Sequence, residues 1–352
     1  MKKKVAVAMS GGVDSSLCAA LLQEQGYEVL GITMQLSDDS REMNGVSSAA
    51  TDARRVADFL GIEHVVADFR TLFSDKVVDY FLTEYLTART PNPCVICNRF
   101  LKFGELLSFA KEKGADFLAT GHYVRVEKEE DEAFALKKGR DEKKDQSYVL
   151  YRLPREILSH ILFPLGSYRK EETRALAQKL SLPVANKAES QEICFVPEDD
   201  YKAYLSQHRP NRFHAGDIVD MQGQILGQHR GLPFYTIGQR KGLGIAAAHP
   251  LYVIALDEAN NRVIVGKNEE LYASSLFASD VNWLMEEPTQ EISVHAKIRY
   301  GSREVKANVL PLEDGTVKVS FLEPQRAVTP GQSVVFYSGE RLVGGATIES
   351  RT

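Results

Sequence analysis

The stretch Ala8-Met9-Ser10-Gly11-Gly12-Val13-Asp14-Ser15-Ser16 decides the fold of this chain. It directly follows the apolar run Val5–Val7 and directly precedes the apolar segment Leu17–Leu22. This order predicts a strand, a tight turn and a helix, with the turn at the carboxyl end of a first parallel strand, where open α/β sheets bind ligands. Two adjacent glycines expose the backbone N–H groups at the start of the helix, and such helix starts bind anions. The stretch therefore predicts a site for a phosphate or pyrophosphate.

This loop differs from the two most familiar phosphate-binding motifs. No Gly-Lys-Ser/Thr follows at the spacing of the mononucleotide P-loop, and the glycines do not form G-x-G-x-x-G. The hydroxyls of Ser10, Ser15 and Ser16 and the carboxylate of Asp14 take the place of the P-loop lysine. The pattern Ser-Gly-Gly-x-Asp-Ser resembles the PP-loop of enzymes that cleave ATP between its α and β phosphates and adenylate a substrate oxygen. The alternative is a glycine-rich turn with a serine cap.

Length and composition indicate a globular protein of two or three domains. The chain has 352 residues, of which 43% are apolar and 26% charged. A net charge of −5 argues against nucleic-acid binding through the global field, although it permits a local basic track. No long apolar segment or cleavage site follows Met1–Lys4, so we expect a cytoplasmic protein without a membrane partner.

The first part of the chain alternates apolar strands with helices, which predicts an α/β domain with a doubly wound parallel sheet. The predicted strands are Val5–Ala8, Glu28–Met34, His64–Asp68 and Asp116–Thr120, and the predicted helices lie near 13–25, 49–60, 69–87 and 98–113. Met34 and Gly121 then follow strands at the same sheet edge as the glycine loop. Gly121 would let a ring or ribose approach the backbone, and His122 would point into the nucleotide space. A structural hydrogen bond is the alternative role for His122.

The remaining chain has a different sequence pattern. Glu127–Lys144 is charge-rich and predicts an exposed hairpin, whose charges serve either as a solvated face or as phosphate contacts. Helices are predicted at about 147–160 and 169–180. After residue 209, short alternating segments between turn residues predict β structure. The predicted domains are 1–200, a small β-rich domain at 201–275, and a β-barrel at 276–352. Gln35–Ser48 is predicted to be a mobile surface loop.

The four cysteines are too few and too scattered for a secreted disulfide scaffold. Cys94 and Cys97 lie in a proline-bounded loop, and a helix beginning near Asn98 would place Cys97 at its N-terminus. The helix dipole and Arg99 would then lower the pKa of the Cys97 thiol, which is a nucleophile's environment. Half of a zinc site is the alternative, although only Cys194 lies in a comparable loop. Cys18 lies in an apolar helix and is expected to be packed.

These motifs together resemble the bacterial tRNA-specific 2-thiouridylase family over nearly the whole chain. The matching pieces are the PP-loop at 8–15, Thr90–Pro93 with Cys97-Asn98, Thr120–Tyr123, Lys144–Tyr148, Ile193–Phe195, Gly238–Gly242, Arg299-Tyr300 and Thr329–Gln332. The resemblance implies that the C2 oxygen of the wobble uridine in certain tRNAs is replaced by sulfur.

The resemblance also implies roles for individual residues. ATP with Mg²⁺ would be held by Ala8, Met9, Ser10, Gly11, Gly12, Val13, Asp14, Ser15, Met34 and Gly121. Asp14 is also a catalytic candidate, acting on either magnesium or the pyrophosphate. A sulfur donor protein would load a persulfide on Cys194, and Cys97 would act as the nucleophile that releases the sulfur by forming a disulfide.

The residues implied to contact tRNA are Asn92, Pro93 and Cys94 at the target base, His122 nearby, and Lys144, Asp145, Gln146, Arg299, Tyr300 and Gln332 elsewhere. The target base would be flipped out of its stack, and binding would weaken as salt rises.

One position departs from the family's pattern, because many members carry aspartate where this chain has Cys94. Either this is a neutral variation, or Cys94, Cys97 and Cys194 together hold a [4Fe–4S] cluster with one open iron. Two other functions are retained as alternatives: another PP-loop adenylating enzyme, which would not need Cys194, and a tRNA-binding protein that has lost catalysis.

Overall fold

The structure, a computed structural model, describes residues 2–37, 48–130, 132–188 and 193–352. It divides into two compact units. Unit one comprises Met1–Val77, Cys94–Gln191 and Gly339–Val343, and unit two comprises Val78–Pro93, Glu192–Ser338 and Gly344–Thr352. The predicted loop at Gln35–Ser48 lies mostly outside the described residues.

Unit one is built on a five-stranded parallel sheet. Its strands are β1 (Lys4–Ala8), β2 (Glu28–Gln35), β3 (Glu63–Asp68), β4 (Phe117–Ala119) and β7 (Ile161–Leu162). They are arranged in the order β3-β2-β1-β4-β7, which confirms the predicted α/β fold. Strand β1 is central, and its residues Val5, Ala6 and Val7 are fully buried. The carboxyl ends of β1, β2 and β4 therefore meet at one edge.

Helices connect these strands. They are α1 (Val13–Glu24), α2 (Ser48–Leu60), α3 (Arg70–Phe73) with a π-helical turn at Ser74–Val78, α5 (Pro93–Ile96), a π-helical segment at Cys97–Glu105, α6 (Leu106–Glu112) and α7 (Lys170–Lys179). Apolar residues of α1 and α2 pack on the sheet, and Cys18 is among them, fully buried as expected. The predicted helix at 147–160 is wrong. Pro154 interrupts it, and two 3₁₀ turns, Ser147–Leu150 and Arg155–His160, replace it.

A charged hairpin completes unit one, as predicted for the region 127–144. Its strands are β5 (Val124–Lys128) and β6 (Phe134–Lys138), and Lys137 of β6 pairs with Arg341. The Lys137 side chain also bonds to Glu127 across the hairpin at 2.8 Å, and Arg140 pairs with Glu172 at 3.4 Å. Much of the charge in this region is therefore internally compensated.

Unit two contains α4 (Asp79–Leu86), α8 (Tyr201–His208) and two β assemblies. The first is a four-stranded sheet of β8 (Gly216–Val219), β9 (Ile225–His229), β10 (Tyr252–Asp257) and β11 (Arg262–Gly266). The second is formed by β12 (Tyr272–Trp283), β13 (Ile292–Lys297), β14 (Val305–Pro311), β15 (Val317–Arg326), β16 (Ser333–Ser338) and β17 (Arg341–Arg351), of which the first three residues are assigned to unit one. Pairing of β12 with both β15 and β17 closes these six strands, which confirms the predicted barrel. The division into three domains remains a prediction.

Within the described residues, the longest helices are too short or too polar to cross a lipid bilayer.

Candidate active site

The glycine loop leaves the start of α1 open. Gly12 is the residue before the helix, its backbone is extended, and no side chain caps the helix. The serine hydroxyls bond within the loop: Ser16 Oγ donates to Gly12 O at 2.8 Å, and Ser15 Oγ accepts from Ser10 N at 3.1 Å. Because the loop's side chains hold its own backbone, the N–H groups of the helix start remain available to an anion.

Two glycines are required by close approach of neighbouring elements. Gly11 has a φ of +67°, and a Cβ there would lie 2.5 Å from Ala49 O in α2. A Cβ on Gly121 would lie 2.9 Å from both Asp14 C and Ser15 N. The sequence predicts that Gly121 admits a ring or ribose, but in the structure its missing side chain admits the backbone of α1. Gly121 therefore brings the end of β4 against the loop.

Asp14 is held by two partners that the sequence does not reveal. Lys170 Nζ lies 2.7 Å and 2.8 Å from the two carboxylate oxygens, and Tyr123 OH donates to Oδ1 at 2.9 Å. Tyr123 OH also lies 2.8 Å from Thr173 Oγ1, one turn along α7. The Lys170 side chain is only 8% exposed, and that of Asp14 is 31% exposed. A cation thus neutralises the one carboxylate of an anion-binding loop.

A second lysine also bonds to the loop. Lys187 Nζ donates to Gly11 O at 3.1 Å and to Asp52 Oδ2 at 2.7 Å, and its side chain is 43% exposed. Two lysines from distant parts of the chain, Lys170 and Lys187, therefore bond to the glycine loop. Nothing in the local sequence around either lysine predicts this, because each reaches the loop only through the tertiary fold.

The other predicted ATP contacts line the same sheet edge. Ala8 ends β1, Met9 and Val13 are buried beside the loop, and Met34 lies half-buried near the end of β2. Thr33 Oγ1 donates to Met9 O at 2.8 Å and lies 2.9 Å from His64 Nε2, so β2 and β3 brace the end of β1. The structure brings all ten predicted nucleotide-binding residues into unit one.

The sequence predicts Cys97 at a helix N-terminus, but the structure does not place it there. The helix begins at Pro93, a residue suited to the first position because its missing N–H would have no partner there. Cys97 therefore lies in the second turn, and its side chain is buried. Burial raises the pKa of the Cys97 thiol, so the predicted lowering is wrong. Asn98 is also buried, and its Nδ2 donates to Val149 O at 3.1 Å.

Lys102, rather than Arg99, is the cation that acts on Cys97. Its charge opposes the effect of burial and lowers the pKa of the Cys97 thiol, although burial dominates. Lys102 lies five residues after Cys97, in a segment with π-helical i→i+5 bonding that ends with Leu106 N donating to Leu101 O. The π-helical spacing thus places residue 102 one turn beyond residue 97. No local sequence pattern indicates that Lys102 acts on Cys97.

His122 is buried between Phe103 and Phe163, with ring centroids 5.9 Å and 6.1 Å away. Its Nδ1 lies 2.7 Å from Thr120 Oγ1. Burial holds the pKa of His122 well below its usual value, and Lys102 adds to this effect. The ring is therefore neutral and engaged in the structural hydrogen bond that is the alternative to a nucleotide-facing role.

Cys194 belongs to unit two, whereas Cys94 and Cys97 belong to unit one. Cys194 is exposed, as is Cys94, and none of the four cysteines, all of which the structure describes, forms a disulfide. The chain just after Cys194 is anchored by aromatic packing: the Phe195 ring lies 5.2 Å from Phe81 and 5.5 Å from Tyr204. An exposed thiol thus precedes a residue that is fixed in the core of unit two.

The segment Lys144–Gln146 is held by hydrogen bonds within the protein. Asp145 accepts from Gly139 N at 2.9 Å and from Ser147 Oγ at 2.7 Å, and Gln146 Oε1 accepts from Tyr123 N at 2.9 Å. Lys144 is half-buried. Asp145 and Gln146 therefore shape this loop through their own protein partners.

The remaining predicted tRNA contacts lie in unit two, apart from Cys94. Tyr300 is 44% exposed. Arg299 is half-buried and bonds to Ile237 O, Ala327 O and Thr329 Oγ1. Gln332 donates to Thr90 O and Pro91 O, in the segment that leads to Asn92 and Pro93.

The described residues contain no group of three His, Cys, Asp or Glu side chains placed to hold a metal ion. The donor set suggested for a [4Fe–4S] cluster is divided between two units, with Cys97 buried and Cys194 exposed.

Comparison with known proteins gives matches along the whole chain. A family model described as the tRNA methyl transferase HUP domain matches residues 3–198. A model described as the tRNA methyl transferase PRC-barrel domain matches residues 202–267, and an aminomethyltransferase beta-barrel domain model matches residues 273–348.

Curated relatives match at full length. The tRNA-specific 2-thiouridylase MnmA 1 of Caldanaerobacter subterraneus subsp. tengcongensis is 52% identical over 361 residues, covering 100% of this chain and 99% of that protein. The tRNA-specific 2-thiouridylase MnmA of Carboxydothermus hydrogenoformans is 51% identical, covering 99% of this chain and 98% of that protein. Because about half of its residues are identical to these relatives over nearly the full length of both chains, this protein belongs to the tRNA-specific 2-thiouridylase family.

Proposed function

We propose that the protein uses ATP to replace the C2 oxygen of the wobble uridine of tRNA with sulfur. The observation that carries the proposal is the identity of about half of all residues with 2-thiouridylases from end to end. The open N-terminus of α1, flanked by Lys170 and Lys187, supports it because a pyrophosphate needs N–H donors and nearby cations.

The first chemical step activates the uridine. The C2 oxygen attacks the α-phosphate of ATP, pyrophosphate leaves, and the oxygen becomes part of an AMP leaving group. The residues proposed to hold ATP are those of the glycine loop with Met34 and Gly121. Magnesium would accompany the phosphates, as hard oxygen ligands favour it. Asn92, Pro93 and Cys94 are proposed to hold the target base, with Lys144 and Tyr300 at other parts of the tRNA.

The second step supplies the sulfur. A donor protein transfers a sulfur atom to Cys194 as a persulfide, whose terminal sulfur attacks C2 and expels AMP. The Cys97 thiolate then attacks the Cys194 sulfur, so that the C2–sulfur bond is retained and a Cys97–Cys194 disulfide forms. The two thiols provide the two electrons that convert persulfide sulfur into the thiocarbonyl, and a thiol reductant must restore them. The exposure of Cys194 suits a residue that must meet a carrier protein.

The experiment is to incubate the pure protein with ATP, magnesium, unmodified tRNA, a thiol reductant and either sulfide or a persulfide donor. We expect 2-thiouridine in the digested tRNA by mass spectrometry, with one AMP released for each. Absence of 2-thiouridine with both sulfur sources would refute the proposal. Full product formation by Cys194→Ser would favour a different PP-loop adenylating enzyme, and tRNA binding without AMP release would indicate a binding protein.

A further inference from the structure

The two lysines that bond to the glycine loop, both in unit one, differ in how firmly they are held. Lys170 Nζ lies 2.7 Å and 2.8 Å from the two carboxylate oxygens of Asp14, and its side chain is 8% exposed. Lys187 Nζ donates to Gly11 O at 3.1 Å and to Asp52 Oδ2 at 2.7 Å, and its side chain is 43% exposed. Moving Lys170 would deprive Asp14 of its cation in a largely buried place, which is costly. Lys187 is the lysine that is able to move.

Asp52 keeps a cation when Lys187 leaves it. Arg55 lies on the same helix α2, and its Nη1 is 3.4 Å from Asp52 Oδ1. Arg55 is exposed, so its side chain is free to close on the carboxylate. Because partly exposed ion pairs contribute little to stability, exchanging one partner of Lys187 for another costs little.

Lys187 and Asp52 lie directly against the anion-binding part of the loop. A Cβ on Gly11 would lie 3.0 Å from the Asp52 Cβ. Gly12, the next residue, precedes α1 and offers no side chain to cap the helix. Since consecutive Cα atoms are about 3.8 Å apart, the ammonium group that bonds to Gly11 O lies beside the open start of the helix. A rotation of the Lys187 side chain therefore brings its charge to an anion bound there.

The charges of the loop leave one cation to answer an added anion. Lys170 neutralises Asp14, and Lys187 shares Asp52 with Arg55. A triphosphate at the helix start adds several negative charges, and its oxygens form strong charge-assisted hydrogen bonds with an ammonium group. The ligand thus competes with Asp52 for Lys187 and wins without stranding a carboxylate.

We propose that Lys187 is the phosphate-binding lysine of the site, which exchanges Asp52 for the β- and γ-phosphates of ATP, whereas Lys170 stays on Asp14 and fixes the loop. Asp52 is the partner to which Lys187 returns when pyrophosphate leaves. The inference rests on the proposed function for the identity of the ligand as ATP.

The first test compares ATP with AMP, which lacks the two phosphates that Lys187 would bind. Isothermal titration calorimetry with Mg²⁺ and without tRNA gives both Kd values in the absence of turnover. In Lys187→Met, we expect the preference for ATP over AMP to fall at least about tenfold, with the AMP Kd changed by less than about twofold. Lys179→Met, at an exposed position of α7 in the same unit, is the matched control. An unchanged preference in Lys187→Met would overturn the proposal, as would a wild type that binds AMP as tightly as ATP.

The second test separates phosphate binding from a structural link between α2 and the loop. If Lys187 only tied Asp52 to the loop, Asp52→Ala would weaken ATP binding as much as Lys187→Met does. A phosphate-binding role instead predicts that Asp52→Ala binds ATP at least as tightly as the wild type, because Lys187 no longer has to leave a carboxylate. An ATP Kd about tenfold weaker in Asp52→Ala would overturn the proposal.

The third test asks whether charge or a hydrogen bond to Gly11 O is what Lys187 supplies. Lys187→Arg retains a cation suited to phosphate and should keep the preference for ATP over AMP within about threefold of the wild type. Lys187→Gln retains only a hydrogen-bond donor and should behave as Lys187→Met does. Rescue by glutamine and not by arginine would assign Lys187 to the carbonyl of Gly11 and overturn the proposal. A wild type that prefers ATP to AMP but forms no 2-thiouridine would refute the proposed function while leaving these binding tests valid.

Discussion

Two regions of the molecule differ in the exposure of their functional groups. One is the glycine-loop region of unit one, and the other is the part of unit two that carries Cys194 and Tyr300. In unit one, Lys170, Cys97 and His122 are all at least nine-tenths buried. In unit two, Cys194 is exposed and Tyr300 is 44% exposed. Burial makes charge and pKa strongly dependent on neighbouring residues, whereas exposure makes a group accessible to a macromolecule. The buried groups of unit one thus depend on their protein neighbours, whereas the exposed groups of unit two are open to a macromolecular partner.

The two cysteines with proposed roles give the strongest test of this difference. Cys97→Ser and Cys194→Ser should each lower 2-thiouridine formation by at least about a thousandfold, because a serine hydroxyl neither carries persulfide sulfur nor forms a disulfide. Cys18→Ala is the control, since Cys18 is packed in the core of unit one. Product would be measured by mass spectrometry of digested tRNA. Substantial activity in either serine variant would contradict the proposed sulfur route.

Thiol reactivity should distinguish the same two residues in the resting protein. At pH 7, iodoacetamide should modify Cys194 about a hundredfold faster than Cys97, since Cys97 is buried and its pKa is raised. Because a raised pKa leaves the thiol mostly protonated at neutral pH, the rate at Cys97 should keep rising about tenfold per pH unit to above about pH 8.5. Peptide mass spectrometry gives both rates. Equal alkylation rates at Cys97 and Cys194 would mean that burial does not lower the reactivity of Cys97.

Loss of the buried cation beside Asp14 should weaken ATP binding. Lys170→Met leaves the Asp14 carboxylate uncompensated at the anion site, and we expect the KM for ATP to rise about tenfold or more, with a smaller change in kcat. The control is Lys179→Met, an exposed position on the same helix α7. Initial rates of AMP release at varied ATP concentration provide the measurement. A KM equal to that of the wild type in a folded Lys170→Met protein would limit Lys170 to a structural role.

The smallest expected effect concerns Lys102. Its charge lowers the pKa of the Cys97 thiol, so Lys102→Met should raise that pKa further and slow alkylation of Cys97 about threefold at about pH 8. Lys111→Met is the control, as Lys111 is exposed in α6. Iodoacetamide labelling of the Cys97 peptide is again the measurement. Faster alkylation in the Lys102 variant would show that the lysine shields the thiol by packing instead of by charge.

The sequence is sufficient to predict the parallel sheet, the glycine loop and the barrel, because these depend on local apolar patterns and turn residues. It is not sufficient for the partners of Asp14: Lys170 lies 156 positions along the chain from Asp14 and reaches it only through the packing of α7. The prediction for Cys97 is wrong because it assigns the proline that begins the helix to a loop, and because the effect of burial on the thiol pKa outweighs that of the Lys102 charge. Arg299 and Gln332 similarly have protein partners that no local pattern indicates.

The π-helical segment Cys97–Glu105 also allows the two ends of one helix to direct their side chains independently. In a regular α-helix, each residue turns the next by about 100°, so the direction of a thiol near the start fixes the direction of every apolar side chain after it. The wider π-helical turn changes this angular relation between the side chains before it and those after it. The face that carries Cys97 can therefore be set by Pro93 and its flanking segment, while the apolar face of α6 is set by the sheet. A one-residue deletion between Cys97 and Lys102 would restore regular spacing and rotate the thiol relative to α6 by about 100°, which would change the direction of the nucleophile.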